Sequence, residues 1–214
     1  MSTRRNTNST TTIHSTGPRS RSRQGHHLLA VILPLAALAT ACAGAAAAAP
    51  ESHHGDHKMD PRQQATAMAA TAGFQDVATA EDAGYGSSLP TLGCFQNPGT
   101  GGMGVHYIND SLMDDKVDIT KPEALVYELD AEAHIVGLVA HEYIVPIDAW
   151  TSSKPPRLFG MSLHKHPTLP LWVLHTWLWK TNPTGMFEDW NPAVRLCPAG
   201  VPIFGEEPAV ASGS

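Results

Sequence analysis

Three polar residues fall inside segments that the sequence predicts to be strands, where side chains of this kind need a partner. They are His106, Glu142 and His175. An ionised carboxylate on an apolar strand face is costly to bury unless it meets a cation, a metal ion or a proton. Two imidazoles and one carboxylate can hold Zn²⁺ in a tetrahedral site with one open position, or non-haem Fe(II). These residues therefore predict a transition-metal site, and a buried His–Glu pair without metal is the alternative.

The neighbours of these side chains are apolar if each strand alternates strictly between its two faces. Glu142 then shares its face with Val136, Leu138, Ala140 and Ile144, and His175 shares its face with Val173, Trp177 and Trp179. Glu128 or His141 is a candidate for a further ligand, or for a group that holds a ligand by a hydrogen bond. Because the three ligands come from three strands, only the tertiary fold can bring them together.

A second group of possible ligands lies earlier in the chain, at His53, His54, Asp56 and His57. Neutral imidazoles bind Zn, Cu and Ni. A flexible segment must lose conformational entropy when it binds, however. This cluster is therefore either a weak metal site or a solvated linker.

Other catalytic motifs lack the structural context they need. Residues 99–104 match G-x-G-x-x-G, but a strand is expected after them instead of a helix whose N-terminus meets a phosphate. His141 and Glu142 begin an H-E-x-x-H sequence, but Val145 stands in the place of the second histidine. We therefore expect no nucleotide site and favour non-enzymatic metal binding. A metal-dependent hydrolase or oxygenase on the same residues is the alternative.

One helix followed by strands is the predicted order of elements. Asp60 and Pro61 form a helix start, and the helix is expected over residues 61–83, with Gly73 as a weak point. Strands are expected over residues 104–108, 124–129, 135–145 and 171–180, with a hairpin loop at 130–133. Residues 86–104 and the connection between the last two strands are expected to be loop. This order indicates a single α+β domain, with one N-terminal helix packed on a mostly antiparallel sheet.

The start of the chain predicts export. Residues 1–27 contain arginines and no acidic residue, residues 28–41 are apolar, and Cys42 follows directly. A basic head, a short apolar segment and small residues before a cleavage point are the parts of a secretory signal. The apolar run is shorter than the ~20 residues of a membrane-spanning helix. We expect a signal peptide over residues 1–41 and a protein outside the cytoplasm.

The residues before Cys42 resemble a bacterial lipobox, with Leu38 one position earlier than is usual. In that class of protein the cysteine is lipidated and anchors the chain to the membrane. Simple secretion after cleavage within residues 43–49 is the alternative. The expected organisation is then an Ala- and His-rich tether over 42–60, a globular domain over 61–197 and a flexible tail over 198–214.

The cysteine count agrees with export and lipidation. The chain has three cysteines, and lipidation of Cys42 leaves Cys94 and Cys197 as an even pair. An oxidising compartment favours a disulfide between them, and two separate buried thiols are the alternative.

Charge excludes one class of partner. Residues 1–41 hold five of the 14 Lys and Arg residues and none of the 20 Asp and Glu residues, which leaves nine against 20, a net charge of −11. A surface of this sign repels nucleic acid and anionic headgroups. We therefore expect no nucleic-acid partner and membrane contact through lipid alone. The sequence points to no particular protein partner.

Several phrases together resemble a group of uncharacterised exported bacterial proteins, many of them actinobacterial. The phrases are GMGVHY at 102–107, PEALVYE at 122–128, EYIVP at 142–146, LHTWLWK at 174–180, NPTGMF at 182–187 and DWNP at 189–192. The resemblance covers about residues 65–197 and implies no established activity. It does imply that His106, Glu128, Glu142, His175 and the pair Cys94/Cys197 belong to the shared pattern.

Tryptophans give a third possible function. Trp172, Trp177, Trp179 and Trp190 lie close together in the sequence. They could line a groove in a metal-free structural or ligand-binding envelope protein, or they could pack in the core.

Overall fold

The structure is a computed structural model and describes residues 57–205. Within these residues, an antiparallel sheet carries a broken helix on one face and the C-terminal segment on the other. Several predicted features lie outside the described residues. These are the signal segment 1–41, the lipid site at Cys42, the cluster members His53, His54 and Asp56, and the chain after residue 205.

The helical segment consists of α1 (Pro61–Thr71), a 3₁₀ turn (Ala72–Gln75) and α2 (Val77–Asp82). α1 begins where the sequence predicts, because the Asp60 carboxylate accepts the backbone N–H of Arg62 at 2.9 Å. The predicted helix over 61–83 is interrupted rather than continuous. Gly73 lies in the 3₁₀ turn, and Asp76 restarts the helix by accepting the N–H of Ala78 at 3.2 Å.

The strands are β1 (Gly86–Ser87), β2 (Phe95–Asn97), β3 (Gly101–Ile108), β4 (Ala124–Leu129), β5 (Ile135–Pro146), β6 (Arg157–Leu158), β7 (Met161–Ser162), β8 (His164–Lys165) and β9 (Leu171–Thr176). The main sheet has the order β1-β3-β4-β5-β9-β8, and β2 also pairs with β3. All of these pairings are antiparallel, and β6 and β7 form a separate small hairpin. The predicted α+β class with a mostly antiparallel sheet is confirmed.

The prediction that residues 86–104 are entirely loop is wrong, because β1, β2 and the start of β3 lie there. The glycines that suggested a loop instead allow another segment to pass close to the strand. A side chain at Gly102 would collide with the Arg195 carbonyl, and one at Gly104 with the Tyr127 carbonyl. Likewise, the predicted connection between the last two strands contains β6, β7 and β8.

Two extra residues in β5, Val139 and Val136, correct the predicted alternation of its side chains. Val126 pairs with Ala140, but the next residue of β4, Tyr127, pairs with Leu138. Val139 is therefore an extra residue on β5, and the strand changes face there. Leu138 consequently packs with Tyr127, on the face opposite Ala140 and Glu142.

Both faces of the sheet are covered. The helix-side core contains Ala67, Tyr143, Val145 and Leu174. The opposite core contains Val126, Ala140, Trp177 and Val194. Trp179 lies beyond the end of β9 and packs against the helix-side clusters, so its predicted place on the face of His175 is wrong.

Cys94 and Cys197 form a disulfide, with an S–S distance of 2.05 Å and a Cα–Cα distance of 6.0 Å. The predicted pairing is confirmed, and the two-thiol alternative is wrong. A disulfide of this kind is typical of proteins outside the cytoplasm.

The segment after Pro198, expected to be loose, is packed as far as Phe204. The Cys94 N–H donates to the Pro202 carbonyl at 2.7 Å, and the Phe204 ring stacks on Phe95 with centroids 4.3 Å apart. None of the helices within residues 57–205 has the length and apolar character that crossing a bilayer requires.

Glu123 is a buried carboxyl group at the start of β4. The N–H of Ile144 donates to its Oε2 at 2.8 Å, and the residue is 2 % exposed. Burial raises the pKa of the Glu123 carboxyl to about 8, although the hydrogen bond from Ile144 opposes the shift. The folded protein therefore keeps this group protonated at a pH where the unfolded chain ionises it.

This difference predicts a pH-dependent stability. Between pH 4.5 and about 8 the folded state binds more protons at Glu123, so the group's contribution to the free energy of unfolding falls as pH rises. We expect Glu123→Gln to be nearly neutral at pH 4.5 and stabilising by on the order of 3 kcal/mol at pH 8, because one pKa unit corresponds to ~1.4 kcal/mol. Urea unfolding of both proteins with a chelator at the two pH values measures this, with the exposed Glu132→Gln as control. An equal effect at both pH values would contradict it.

Candidate metal centre

The structure brings His106, Glu142 and His175 together in the core. Their side chains are 4 %, 8 % and 3 % exposed. Nε2 of His106 lies 3.2 Å from Oε2 of Glu142, and Nε2 of His175 lies 3.6 Å from Oε1 of Glu142. The three ligand atoms all lie within 4.8 Å of one another. A buried group that could hold a metal ion is therefore present at the predicted residues.

Strand register explains this meeting. Glu142 on β5 pairs directly with His175 on β9, so the two side chains are neighbours on one face. β4 separates β5 from β3, which carries His106. On β4, Val126 is the partner of His106 and Ala124 is the partner of Glu142. The small side chain of Ala124 leaves room for His106 and Glu142 to meet diagonally across β4.

The observed separations are close to those around a small tetrahedral ion. Ligand atoms about 2.0–2.2 Å from a tetrahedral metal lie about 3.3–3.6 Å from one another. Oε2 of Glu142 lies 3.2 Å from His106, Oε1 of Glu142 lies 3.6 Å from His175, and one ligand atom from each residue lies within 4.8 Å of the others, so binding one ion requires a small movement of the side chains. Nε2 of His175 is also buried without a hydrogen-bond partner, which is an unfavourable state for a polar atom unless another group binds it.

Asp189 holds His175 from the side away from Glu142. Its Oδ1 lies 3.2 Å from Nδ1 of His175, and its Oδ2 lies 3.1 Å from Nε2 of His164. A carboxylate on Nδ1 fixes the imidazole so that Nε2 faces the ligand position, which is how metal-binding histidines are commonly oriented. His175 therefore lies between two carboxylates.

The segment after β9 places Asp189 by folding back over the sheet. The backbone N–H of Trp177 donates to the Met186 carbonyl at 3.0 Å, and its indole N–H donates to the Glu188 carbonyl at 2.6 Å. Further along, Asn191 and Gly102 exchange two backbone hydrogen bonds, at 3.0 and 3.2 Å. The glycine at 102 is required because the segment passes so close to β3.

Aromatic rings surround the imidazoles. The Phe95 ring meets His106 edge to face with centroids 4.5 Å apart, and the Trp177 ring stacks on His175 at 6.3 Å. Only the outer groups reach solvent, since the side chains of His164 and Asp189 are 23 % and 32 % exposed. This enclosure strengthens electrostatic interactions within the centre.

The pKa values of the three ligand residues are shifted in different directions. Burial, with the nearby His175 and His166, holds the pKa of His106 well below its usual range. Burial raises the pKa of the Glu142 carboxyl, and His175 opposes that shift. Burial alone lowers the pKa of His175, but Glu142 and Asp189 outweigh it and raise the pKa overall. Burial therefore favours the neutral imidazole at His106, whereas the two carboxylates favour the protonated imidazole at His175.

Glu128 does not lie at the centre. Its Oε2 accepts from the Lys180 ammonium at 2.7 Å, and its Oε1 accepts from the backbone N–H of Arg195 at 3.0 Å. It stands four residues along β4 from Ala124, the partner of Glu142, a distance of about 13 Å along a strand. Its role is to tie the C-terminal segment to the sheet, so the predicted contact with the ligands is wrong.

His141 does not lie at the centre either, because it precedes Glu142 on β5 and points to the helix face. Its Nε2 lies 2.8 Å from Oγ1 of Thr71 and 3.3 Å from the indole nitrogen of Trp179. Burial lowers the pKa of His141 to about 3. This neutral histidine fastens the helix to the sheet, and its predicted role at the metal site is wrong.

Two further histidines have partners outside the three ligand residues, although His166 lies near enough to the centre to lower the pKa of His106. Nδ1 of His166 accepts from the N–H groups of Thr168 and Leu169. Nε2 of His57 lies 3.1 Å from the Phe159 carbonyl, so this member of the early cluster packs against the domain. A cleft of about 530 Å³ lies beside His57 and Trp177, and its lining includes none of the three ligand residues.

Asp189 and His164 are the functional residues that sequence reasoning missed. Asp189 begins the DWNP phrase, whose residues are typical of a tight turn, so its carboxylate needs no second role to be explained. One signal was available for His164, since His164 and His166 have the i, i+2 spacing that places two side chains on one strand face. No local pattern indicates that the turn of Asp189 folds back onto β9.

Substitution of Asp189 tests its positioning of His175. We expect Asp189→Ala to weaken Zn²⁺ binding about 10- to 100-fold, because loss of such a partner frees the ligand's imidazole. Asp189→Asn should have a smaller effect, since its amide oxygen can still accept from Nδ1. Competition with a zinc chelator measures both, with Glu132→Ala on the exposed hairpin loop as the carboxylate control. Equal zinc affinity in Asp189→Ala and the wild type would contradict the assignment.

Comparison of the chain with models of protein families, with curated proteins and with solved structures finds no match. The geometry of the centre is therefore the basis for inferring its function.

Proposed function

We propose that this chain is an exported cell-envelope protein that binds one divalent transition-metal ion through His106, Glu142 and His175. The observation that supports this most strongly is a buried carboxylate between two imidazole nitrogens, at 3.2 and 3.6 Å. A buried cluster of two histidines and one glutamate is not needed to stabilise a sheet, since apolar residues of similar size often stabilise a fold at least as well as a buried ion pair.

Charge balance favours a divalent ion. The centre contains two carboxylates, Glu142 and Asp189, and the imidazole of His175 lies between them. With neutral imidazoles, a dication and these two carboxylates sum to zero charge, which reduces the cost of burying each group.

The donor set favours Zn²⁺ or Fe(II). Imidazole nitrogen with carboxylate oxygen suits zinc, and two histidines with one carboxylate also form the facial set of non-haem Fe(II) sites. No cysteine joins the three residues, and the two cysteines in the described range, Cys94 and Cys197, are bonded to each other.

Elemental analysis tests the proposal. The mature chain carrying His53→Ala and His54→Ala lacks these two competitor histidines and keeps His57, which packs against the domain. We expect one Zn²⁺ or Fe(II) per chain after reconstitution and dialysis. A protein that stays metal-free after reconstitution with both ions would refute the proposal and leave a structural His–Glu–His cluster.

An enzyme on the same residues is a second candidate, because three protein ligands leave one tetrahedral position for water or a substrate. His164 and Asp189 extend from that centre to the partly exposed surface. In the cobalt-substituted protein, a visible spectrum that changes with added azide would support an open position. A spectrum insensitive to azide would favour binding without catalysis.

The protein's location is proposed from the sequence. The signal-like start and Cys42 favour a lipid anchor, and the disulfide agrees with an oxidising compartment. We expect Cys42→Ser to lose lipid labelling and to move from the membrane fraction to the soluble fraction. Radiolabelled palmitate and fractionation of cells measure this. A wild-type protein that is already soluble and unlabelled would contradict the anchor.

A further inference from the structure

Two buried polar atoms beside the centre have no hydrogen-bond partner, Nδ1 of His106 and Oγ of Ser88. His106 is 3 % exposed and Ser88 is 5 % exposed. Leaving a buried polar atom unpaired costs roughly 1–3 kcal/mol, and buried polar atoms of this kind nearly always have a partner or an ordered water. Two such atoms close together can satisfy each other.

The strand register places these two side chains on the same face. Ser87 pairs with Tyr107, and the next residue, Ser88, donates its backbone N–H to the His106 carbonyl at 2.8 Å. Ser88 therefore lies opposite His106, one residue beyond the end of β1. Residues opposite each other in an antiparallel pair have Cβ atoms about 4.5–5.5 Å apart, which one rotated hydroxyl or one bridging water can span.

We propose that Ser88 is a positioning residue for His106, its Oγ hydrogen-bonded to Nδ1 directly or through one buried water. With a metal ion bound at Nε2, the hydroxyl would accept from Nδ1–H and hold the tautomer that leaves Nε2 free to bind the ion. Without the ion, Nε2–H of His106 donates to Oε2 of Glu142 at 3.2 Å, and the hydroxyl donates to Nδ1. The role as a support for a metal ligand rests on the proposed function. Ser88 then does for His106 what Asp189 does for His175, with a neutral acceptor in place of a charged one.

The same fold provides a matched control on its other face. His141 pairs with Thr176 across β5 and β9, and Nδ1 of His141 and Oγ1 of Thr176 also lack partners. This second pair lies on the helix face, where His141 contacts Thr71 and Trp179. Each hydroxyl lies on the strand position opposite a buried imidazole whose Nδ1 has no other partner, but only the hydroxyl of Ser88 is next to a proposed ligand.

Zinc competition on the full mature chain separates the two roles. We expect Ser88→Ala to weaken Zn²⁺ binding about tenfold, Ser88→Thr to recover most of that loss, and Thr176→Val to bind as the wild type does. Denaturant unfolding without metal should show comparable losses of stability for Ser88→Ala and Thr176→Val. Wild-type affinity in Ser88→Ala, or an equal loss of affinity in Thr176→Val, would overturn the positioning role.

A metal-free measurement distinguishes failure of this inference from failure of the proposed function. In nitrogen-15 NMR of the metal-free wild type, Nδ1 of His106 should resonate at higher field than in Ser88→Ala, because the Ser88 hydroxyl donates a hydrogen bond to it. If the wild type binds no zinc, the metal proposal fails, while this result alone still supports the hydrogen bond. An unchanged Nδ1 chemical shift in Ser88→Ala would overturn it whether or not zinc binds.

Discussion

His175→Ala and Glu142→Gln should each abolish stoichiometric zinc binding. His175→Ala removes one of only three ligands, and Glu142→Gln replaces the only carboxylate among them with a neutral amide of the same shape. Zinc at 100 times its Kd should raise the free energy of unfolding of the wild type by ~2.7 kcal/mol. It should not raise that of either variant. Thermal unfolding with and without zinc measures the effect.

His134→Ala is the matched control for these variants. His134 lies on the hairpin loop, where it pairs with Asp130 at 3.3 Å and is 76 % exposed. It should keep both the bound zinc and the stabilisation. A structural cluster predicts a different pattern, in which zinc stabilises none of the proteins and Glu142→Gln changes only the metal-free stability.

Loss of the disulfide should have the largest effect on stability. Cys94 and Cys197 are 103 residues apart, and closing a loop of about that length is worth up to ~4.7 kcal/mol by restricting the unfolded chain. The bond also ties β2 to the C-terminal segment. We therefore expect the double variant Cys94→Ala/Cys197→Ala to lose roughly 2–5 kcal/mol in denaturant unfolding with a chelator present.

Reduction of the wild type provides the control for that variant. Reduced wild type and the double alanine variant should unfold at similar denaturant concentrations, because both lack the same cross-link. An unfolding midpoint of the double variant equal to that of the oxidised wild type would show that the disulfide does not stabilise the fold.

The sequence predicted the parts of the site that depend on regular strands. β4 matches its predicted bounds, and β5 and β9 begin where expected, so Glu142 and His175 were correctly placed on strands. Glu142 was identifiable because a carboxylate among alternating apolar residues needs a specific partner. The meeting of His106 with Glu142 depends on strand order and on a small residue at Ala124, which a single sequence does not reveal.

The wrong predictions of loops, strand faces and site residues also have physical causes. Residues 86–104 were predicted to be loop, but Gly102 and Gly104 lie within β3, where the lack of a side chain lets neighbouring backbone approach. The extra residue Val139 reverses the face of Leu138, and a bulge of this kind has no clear local signal. Asp189 reaches His175 only because the chain after β9 folds back, which is a tertiary event.

Diffraction at the zinc absorption edge, from crystals of the reconstituted His53→Ala/His54→Ala chain, tests the central claim most directly. We predict one strong anomalous peak about 2.0–2.2 Å from ligand atoms of His106, Glu142 and His175. The absence of a peak among these three side chains, with zinc elsewhere or nowhere, would contradict the account.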